Sequence, residues 1–147
     1  MVVNPNFAGK SAERGGAYSD LIGEMDYRVG QILDAVKAAG AEDNTIVVLS
    51  SDNATVPTLP VGAFAGGSNG PWHGDFSTPP YEGSYRTLAM IRWPGHVSSG
   101  VVTQEMLAAT AWLPTFAAMV GALNLVPKDR PIDGINASAL SSYGNLC

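Results

Sequence analysis

Two oxygen-bearing side chains, Asp52 and Asn53, stand directly after an apolar run in this chain of 147 residues. The run, Thr45 through Leu49, predicts a buried strand that delivers the pair at its carboxyl end. In parallel sheets, ligands gather beyond the carboxyl ends of the strands. A carboxylate beside an amide carbonyl suits Ca²⁺ or Mg²⁺ rather than zinc or iron. Asp-Asn is also ordinary turn chemistry, so a plain turn remains the alternative.

Other side chains capable of chemistry lie at the far end of a loop rich in glycine and proline, residues 54–80. A loop this long is usually functional or disordered, and the aromatic residues at its end favour an ordered, site-forming loop. A histidine can act as a general acid near neutral pH, so His73 is a candidate residue of the substrate pocket. A histidine at the pocket rim or on the surface is the alternative. Asp75 either faces the pocket or caps a turn.

A long helix must support the strand that carries the pair. Apolar residues recur three and four positions apart over residues 18–39, which predicts a helix with one continuous apolar face. Glu24 and Arg28 are four apart on its outer side, a favourable order for an ion pair. Gly40 supplies the left-handed residue that commonly closes a helix. The apolar face consists of Leu21, Ile22, Met25, Val29, Ile32, Leu33 and Val36.

A second strand and a second helix follow the loop. The strand is predicted at Leu88 to Arg92, and the helix runs from Trp112 to Val120 with Pro114 in its first turn. A helix, a short loop and then an apolar strand are the rhythm of an α/β layer fold, in which the strand is covered on both faces. The length is typical of one domain.

Composition excludes several classes of function. The net charge is −5 and no basic stripe is visible, so nucleic acid is not an expected partner. The single cysteine, Cys147, allows neither an internal disulfide nor a cysteine-rich metal site. No stretch of about 18 apolar residues predicts a membrane span. The first residues show no signal peptide, and the compartment stays open.

Several short segments occur in a characteristic order. They resemble the sulfatase family, specifically the bacterial-type arylsulfatases, and the resemblance covers nearly the whole chain. The segments are Ser51-Asp52-Asn53, Gly70-Pro71-Trp72-His73-Gly74, Tyr81-Glu82-Gly83-Ser84-Tyr85-Arg86, Ile91-Arg92-Trp93-Pro94-Gly95, Leu113-Pro114-Thr115 and Asp129-Arg130-Pro131-Ile132-Asp133-Gly134.

The resemblance implies an α/β fold, part of a sulfatase or alkaline-phosphatase-like structure with a mixed sheet flanked by helices. It also implies hydrolysis of sulfate esters with a divalent cation, usually Ca²⁺, which polarises the ester while a formylglycine attacks sulfur. Asp52 and Asn53 fall on the second pair of metal ligands. Glu82 and Arg86 match the family's Glu-Gly-x-x-Arg segment and are interpreted as a buried pair that holds the loop in place.

The departures from the family pattern concern the nucleophile, the first metal ligands and a lysine. Formylglycine is made from the cysteine of a Cys-x-Pro-Ser-Arg motif, which these 147 residues lack, and Cys147 cannot replace it. The first pair of metal-binding Asp residues is missing too, and Asp75 and Phe76 stand where many sulfatases have a lysine. We therefore expect residues 1–147 to be a single partial domain, the carboxyl-side part, inactive alone.

Two alternatives remain. One is a phosphoester or phosphonate hydrolase of the same superfamily, which would need the same missing nucleophile. The other is a non-catalytic interaction module that self-associates through apolar surface left uncovered by the missing half.

Overall fold

A computed structural model describes residues 3–11, 16–55, 67–76 and 78–140. The chain divides into two compact units, Met1–Ile91 and Arg92–Cys147. The prediction of a single partial domain over residues 1–147 stays a prediction. In chain order the helices and strands are α1 (Ala17–Ala38), β1 (Val47–Ser50), α2 (Glu82–Tyr85), β2 (Ala89–Arg92) and α3 (Trp112–Met119). Short 3-10 turns occur at Glu42–Asn44, Ala109–Ala111 and Leu123–Leu125.

Helix α1 confirms the prediction for residues 18–39, with each end displaced by one residue. Gly40 follows the helix with φ +66°, the left-handed conformation expected of a closing glycine. Arg28 Nη2 lies 3.4 Å from Glu24 Oε1, so the predicted ion pair forms. Exposed pairs of this kind contribute little to stability, about 0.3–0.5 kcal/mol.

The predicted apolar face of α1 is only partly covered. Leu21, Val29, Leu33 and Val36 are half-buried, whereas residue Ile32 is 58% exposed. Within the described ranges, no helix is long and apolar enough to cross a membrane.

The strands β1 and β2 pair with each other in a two-stranded sheet. Ser51, just after β1, donates its N–H to the carbonyl of Leu88, just before β2, over 3.3 Å. The end of one strand therefore lies beside the start of the other, which makes the pair antiparallel. The expectation that the strand over 45–50 is buried on both faces is wrong, because Val47, Val48 and Leu49 are only half-buried beside one neighbouring strand.

The loop predicted over residues 54–80 contains neither helix nor strand in its described parts, residues 54–55, 67–76 and 78–80. Residues 56–66 and 77 lie outside the described residues, as does Cys147. The short helix α2 directly after the loop is an element that sequence reasoning missed.

The second unit is organised around α3. Pro114 is the third residue of the helix, as predicted, and Thr115 is buried. The Thr115 Oγ1 atom accepts a hydrogen bond of 3.0 Å from the N–H of Ala137, which ties the later chain to the helix. A Cβ atom at Gly134 would collide with the carbonyl of Thr110, so a glycine is required where the chain passes this close.

Candidate functional site

The turn after β1 presents Asp52 and Asn53 at the surface, and both side chains are exposed. The turn is held by neighbouring groups: the Ser51 hydroxyl donates to the Asn53 carbonyl over 2.9 Å, and the Thr87 hydroxyl donates to the Ser51 carbonyl over 3.1 Å. Among the residues the structure describes, neither the Asp52 nor the Asn53 side chain forms a hydrogen bond or an ion pair. The hydrogen bonds that hold the turn do not involve these two side chains, so their oxygens are available to a ligand.

The two residues that follow the turn are tied to three other segments. Ala54 is buried, and its N–H donates to the carbonyl of Ser84 in α2 over 3.4 Å. The N–H of Thr55 donates to Asn69 Oδ1 over 3.2 Å, and its hydroxyl donates to the Tyr18 hydroxyl in α1 over 3.3 Å. These bonds fix the backbone that carries Asp52 and Asn53.

Two glycines let the loop and helix α2 approach each other closely. The N–H of Gly83 donates to the carbonyl of His73 over 2.8 Å. A Cβ atom at Gly83 would lie 2.5 Å from the Gly74 oxygen and 2.6 Å from the His73 oxygen. Gly74 itself has φ +98°, and a Cβ there would lie 2.7 Å from the Cβ of Tyr81. Only residues without a side chain fit both positions.

Glu82 and Arg86 form the ion pair expected from their spacing of four, with Arg86 Nε donating to Glu82 Oε2. The pair is not buried, contrary to expectation, since the side chains retain 55% and 30% of their exposure. Water therefore still solvates both charges. The Arg86 guanidinium also lies over the ring of Trp72, with Cζ 4.1 Å from the ring centroid. This stacking connects α2 to the loop ahead of it.

His73 and Asp75 lie on the same loop in different surroundings. The imidazole of His73 is exposed and packs edge-on against Tyr81, with ring centroids 4.3 Å apart. Asp75 is half-buried in a turn with Thr78, whose hydroxyl accepts a hydrogen bond of 2.7 Å from the Asp75 N–H. That hydroxyl also lies 3.4 Å from Asp75 Oδ1. These contacts favour the turn-capping alternative for Asp75, whereas His73 is a surface histidine.

Asp20 is a buried carboxylate that sequence reasoning did not single out. Its exposed fraction is 7%, and its two oxygens accept hydrogen bonds from the N–H groups of Gly9 (2.7 Å) and Ser11 (2.8 Å). The backbone N–H groups of Ser11 and Gly9 lower the pKa of Asp20, against the opposing effect of desolvation. The signal for it was an acidic residue in the first turn of α1, where the helix dipole favours negative charge. Asp20 holds the segment ahead of the helix and is not a free ligand.

Comparison with known proteins decides the family. A model of the sulfatase family matches residues 4–122. The chain belongs to the sulfatase family. Its sequence is 41% identical over 133 residues to the steryl-sulfatase of Rattus norvegicus, covering 89% of this chain and 22% of that protein. It is 36% identical over 132 residues to the N-acetylgalactosamine-6-sulfatase of Homo sapiens, covering 89% of this chain and 24% of that protein.

A solved structure confirms the fold class. The crystal structure of the PsFucS1 sulfatase from Pseudoalteromonas sp. aligns with a TM-score of 0.75 and 26% sequence identity. The alignment covers 93% of this chain and 26% of that chain. The α/β arrangement is thus part of a sulfatase, alkaline-phosphatase-like fold. The chain spans about a quarter of the length of the curated relatives it matches.

The residues present fit one portion of a sulfatase cation site. Asp52 and Asn53 offer a carboxylate and an amide oxygen, the hard donors that Ca²⁺ prefers, and both are exposed and unengaged. Within the described ranges, no cluster of three or more His, Cys, Asp or Glu residues is arranged to hold a metal ion. Because Ca²⁺ normally takes about six to eight oxygens, this pair would supply a minority of them.

Proposed function

We propose that this chain supplies the carboxyl-side part of a catalytic domain that hydrolyses sulfate esters with a divalent cation, Ca²⁺ by family resemblance. The observation that carries the proposal is the state of Asp52 and Asn53. Both side chains lie exposed at the end of β1 and are left free by the turn that holds them. Sulfatase membership supports sulfate esters as the substrate class.

Each part of the site has a distinct role in this proposal. Asp52 and Asn53 would hold the cation, which when bound supplies Lewis-acid charge stabilisation and orients the ester. Arg86 is committed to Glu82 and to the Trp72 ring, so it positions the loop rather than binding sulfate. His73 presents an exposed imidazole on that loop, packed against the Tyr81 ring.

We further propose that the chain alone is inactive. Its 147 residues contain no Cys-x-Pro-Ser-Arg motif from which a formylglycine could be made. The apolar residues exposed on α1, among them Ile22, Met25 and Ile32, support the need for further polypeptide over this helix.

A chromogenic aryl sulfate tests the inactivity directly. The purified chain should give no turnover with Ca²⁺ above a control without metal. Turnover above that control would overturn the proposal.

A chimera tests the sulfatase role. This chain would replace the matching 26% of the Pseudoalteromonas sulfatase, and the product would be assayed on aryl sulfate and aryl phosphate side by side. Cation-dependent sulfate hydrolysis that is lost on Asp52→Ala supports the proposal. Preferential phosphate hydrolysis would favour the phosphoester alternative instead.

Sedimentation separates the catalytic role from the non-catalytic, self-associating module. The module predicts a concentration-dependent oligomer formed through the exposed apolar face of α1. A stable, monodisperse monomer without partner or metal would argue against that alternative.

A further inference from the structure

We propose that Asn69 is the positioning residue of the candidate cation site. Its side-chain amide ties the backbone just after Asp52 and Asn53 to the loop that carries His73 and Asp75. The inference deepens the proposed function and rests on it for the cation-binding role of Asp52 and Asn53. The hydrogen bonds of Asn69 to the two segments are observed independently of that role.

The amide of Asn69 contacts backbone groups on both sides of the site. Its Oδ1 atom accepts from the N–H of Thr55 over 3.2 Å, and its Nδ2 atom lies 3.5 Å from the Thr55 carbonyl oxygen. Nδ2 also donates to the Gly74 carbonyl over 2.7 Å. Thr55 is two residues beyond Asn53, and Gly74 lies between His73 and Asp75. One side chain thus bridges the ligand-bearing segment and the loop.

The chemistry of an amide suits this position better than that of other side chains. Asparagine offers an acceptor and two donors on one rigid plane. An aspartate at the same place would keep the acceptor for Thr55 but would set a carboxylate against the Gly74 carbonyl. An alanine would leave the N–H of Thr55 without this acceptor, and unmade hydrogen bonds of part-buried groups are costly.

The surroundings of Asn69 hold the bridge in one geometry. Asn69 is half-buried, and nearby Gly67 is buried against the side chain of Thr55, where a Cβ atom would overlap it. The Ala54 bond to Ser84, at 3.4 Å, is a longer link from the same segment to α2. Asn69 binds the same segment through the Thr55 N–H over 3.2 Å and the loop through the Gly74 carbonyl over 2.7 Å, so we expect it to be the more direct coupling between the segment and the loop.

Loss of the bridge should therefore loosen the ligands without dissolving the turn that presents them. The Ser51 hydroxyl would still close that turn on the Asn53 carbonyl. The turn would then shift relative to the loop. Removing a residue that orients metal ligands typically weakens metal affinity by about 10–100-fold. We expect the low end, about tenfold, because the ligands keep their local turn.

The test is a titration of the isotopically labelled full chain with CaCl₂ into the millimolar range, followed by the amide resonances of Asp52, Asn53 and Thr55. Asn69→Ala should raise the Ca²⁺ dissociation constant about tenfold and speed amide hydrogen exchange at Thr55. The matched control is Asn44→Ala, since Asn44 is exposed in a separate turn. It should change neither quantity. Unchanged Ca²⁺ affinity in Asn69→Ala would overturn the inference.

The titration separates failure of this inference from failure of the proposed function. If wild-type Asp52 and Asn53 do not respond to Ca²⁺, the proposed cation role fails. The tie is then judged by exchange alone, and unchanged exchange at Thr55 in Asn69→Ala overturns it. Should that variant not fold, Asn69→Asp takes its place. It should keep the slow exchange of Thr55 while shifting the Gly74 resonance, and an unshifted Gly74 resonance would count against the bridge.

Discussion

The guanidinium carbon of Arg86 lies 4.1 Å from the centroid of the Trp72 ring, while Nε of the same group pairs with Glu82. One planar cation thus joins a residue of helix α2 to a residue of the preceding loop. A lysine could keep the charge but could not stack its head group on the indole or pair in the same plane.

Arg86→Lys should lower the free energy of unfolding by at most about 0.5–1 kcal/mol, the strength of a cation–π contact at a partly exposed site, because lysine keeps the charge but loses the planar stacking on Trp72. Urea denaturation measures the change, and a double-mutant cycle with Trp72→Phe isolates the stacking energy. Arg28→Lys is the matched control, because the Arg28 guanidinium lies 5.8 Å from the Tyr27 ring centroid and is more exposed. Equal losses in the two lysine variants would contradict the assignment.

Gly83→Ala and Gly23→Ala should shift stability in opposite directions. Both glycines lie in helices, where alanine is favoured by about 1 kcal/mol. Around Gly23 a Cβ atom meets nothing within 4 Å, so Gly23→Ala should stabilise. At Gly83 the new atom would overlap the backbone oxygens of His73 and Gly74, which cannot rotate away. Overpacking of this kind costs about 1–3 kcal/mol, so Gly83→Ala should destabilise. Thermal unfolding of both variants measures the change, and a stabilising Gly83→Ala would refute the close approach.

Asp20 should make stability depend on acid pH. Hydrogen bonds from Ser11 and Gly9 lower its pKa in the folded chain below the ordinary value. A lowered folded pKa means that Asp20 stabilises the fold at pH values above its ordinary pKa, and that this contribution disappears as the pH falls through the folded pKa. Asp20→Asn should therefore destabilise at neutral pH and flatten the acid limb of the stability profile. Urea unfolding from pH 2 to 7 measures both effects, with exposed Asp26→Asn as the control. Parallel profiles for the two variants would disprove this role.

The elements that sequence predicted well are those specified by local patterns. The spacing of apolar residues gave α1 to within one residue at each end, and Gly40 adopts its expected conformation. The strand at Ala89–Arg92 also formed where its apolar residues indicated. The burial of β1 was overestimated, since an apolar run indicates that a strand can be buried but does not indicate which segments cover it.

The place of Asp52 and Asn53 after a strand was predictable, whereas the contacts that support this turn were not. The strand pattern placed Asp52 and Asn53 at the end of β1. Asn69 went unnoticed because its partners are backbone groups 14 residues back and five ahead, and backbone partners leave no trace in sequence. Asp20 escaped for the same reason, since it binds N–H groups of a preceding loop.

Asp52→Ala should separate function from stability. Its side chain is exposed and engages no group among the described residues, so its removal should change the free energy of unfolding by less than about 0.5 kcal/mol. The same change removes the one charged donor of the proposed pair. It should therefore abolish Ca²⁺-induced shifts at Asn53 in the isolated chain, whereas Asp34→Ala, on the exposed side of α1, should leave them intact. A carboxylate retained for structure would behave differently: Asp52→Ala would then destabilise the chain strongly, and that result would remove the support for a cation ligand at this position.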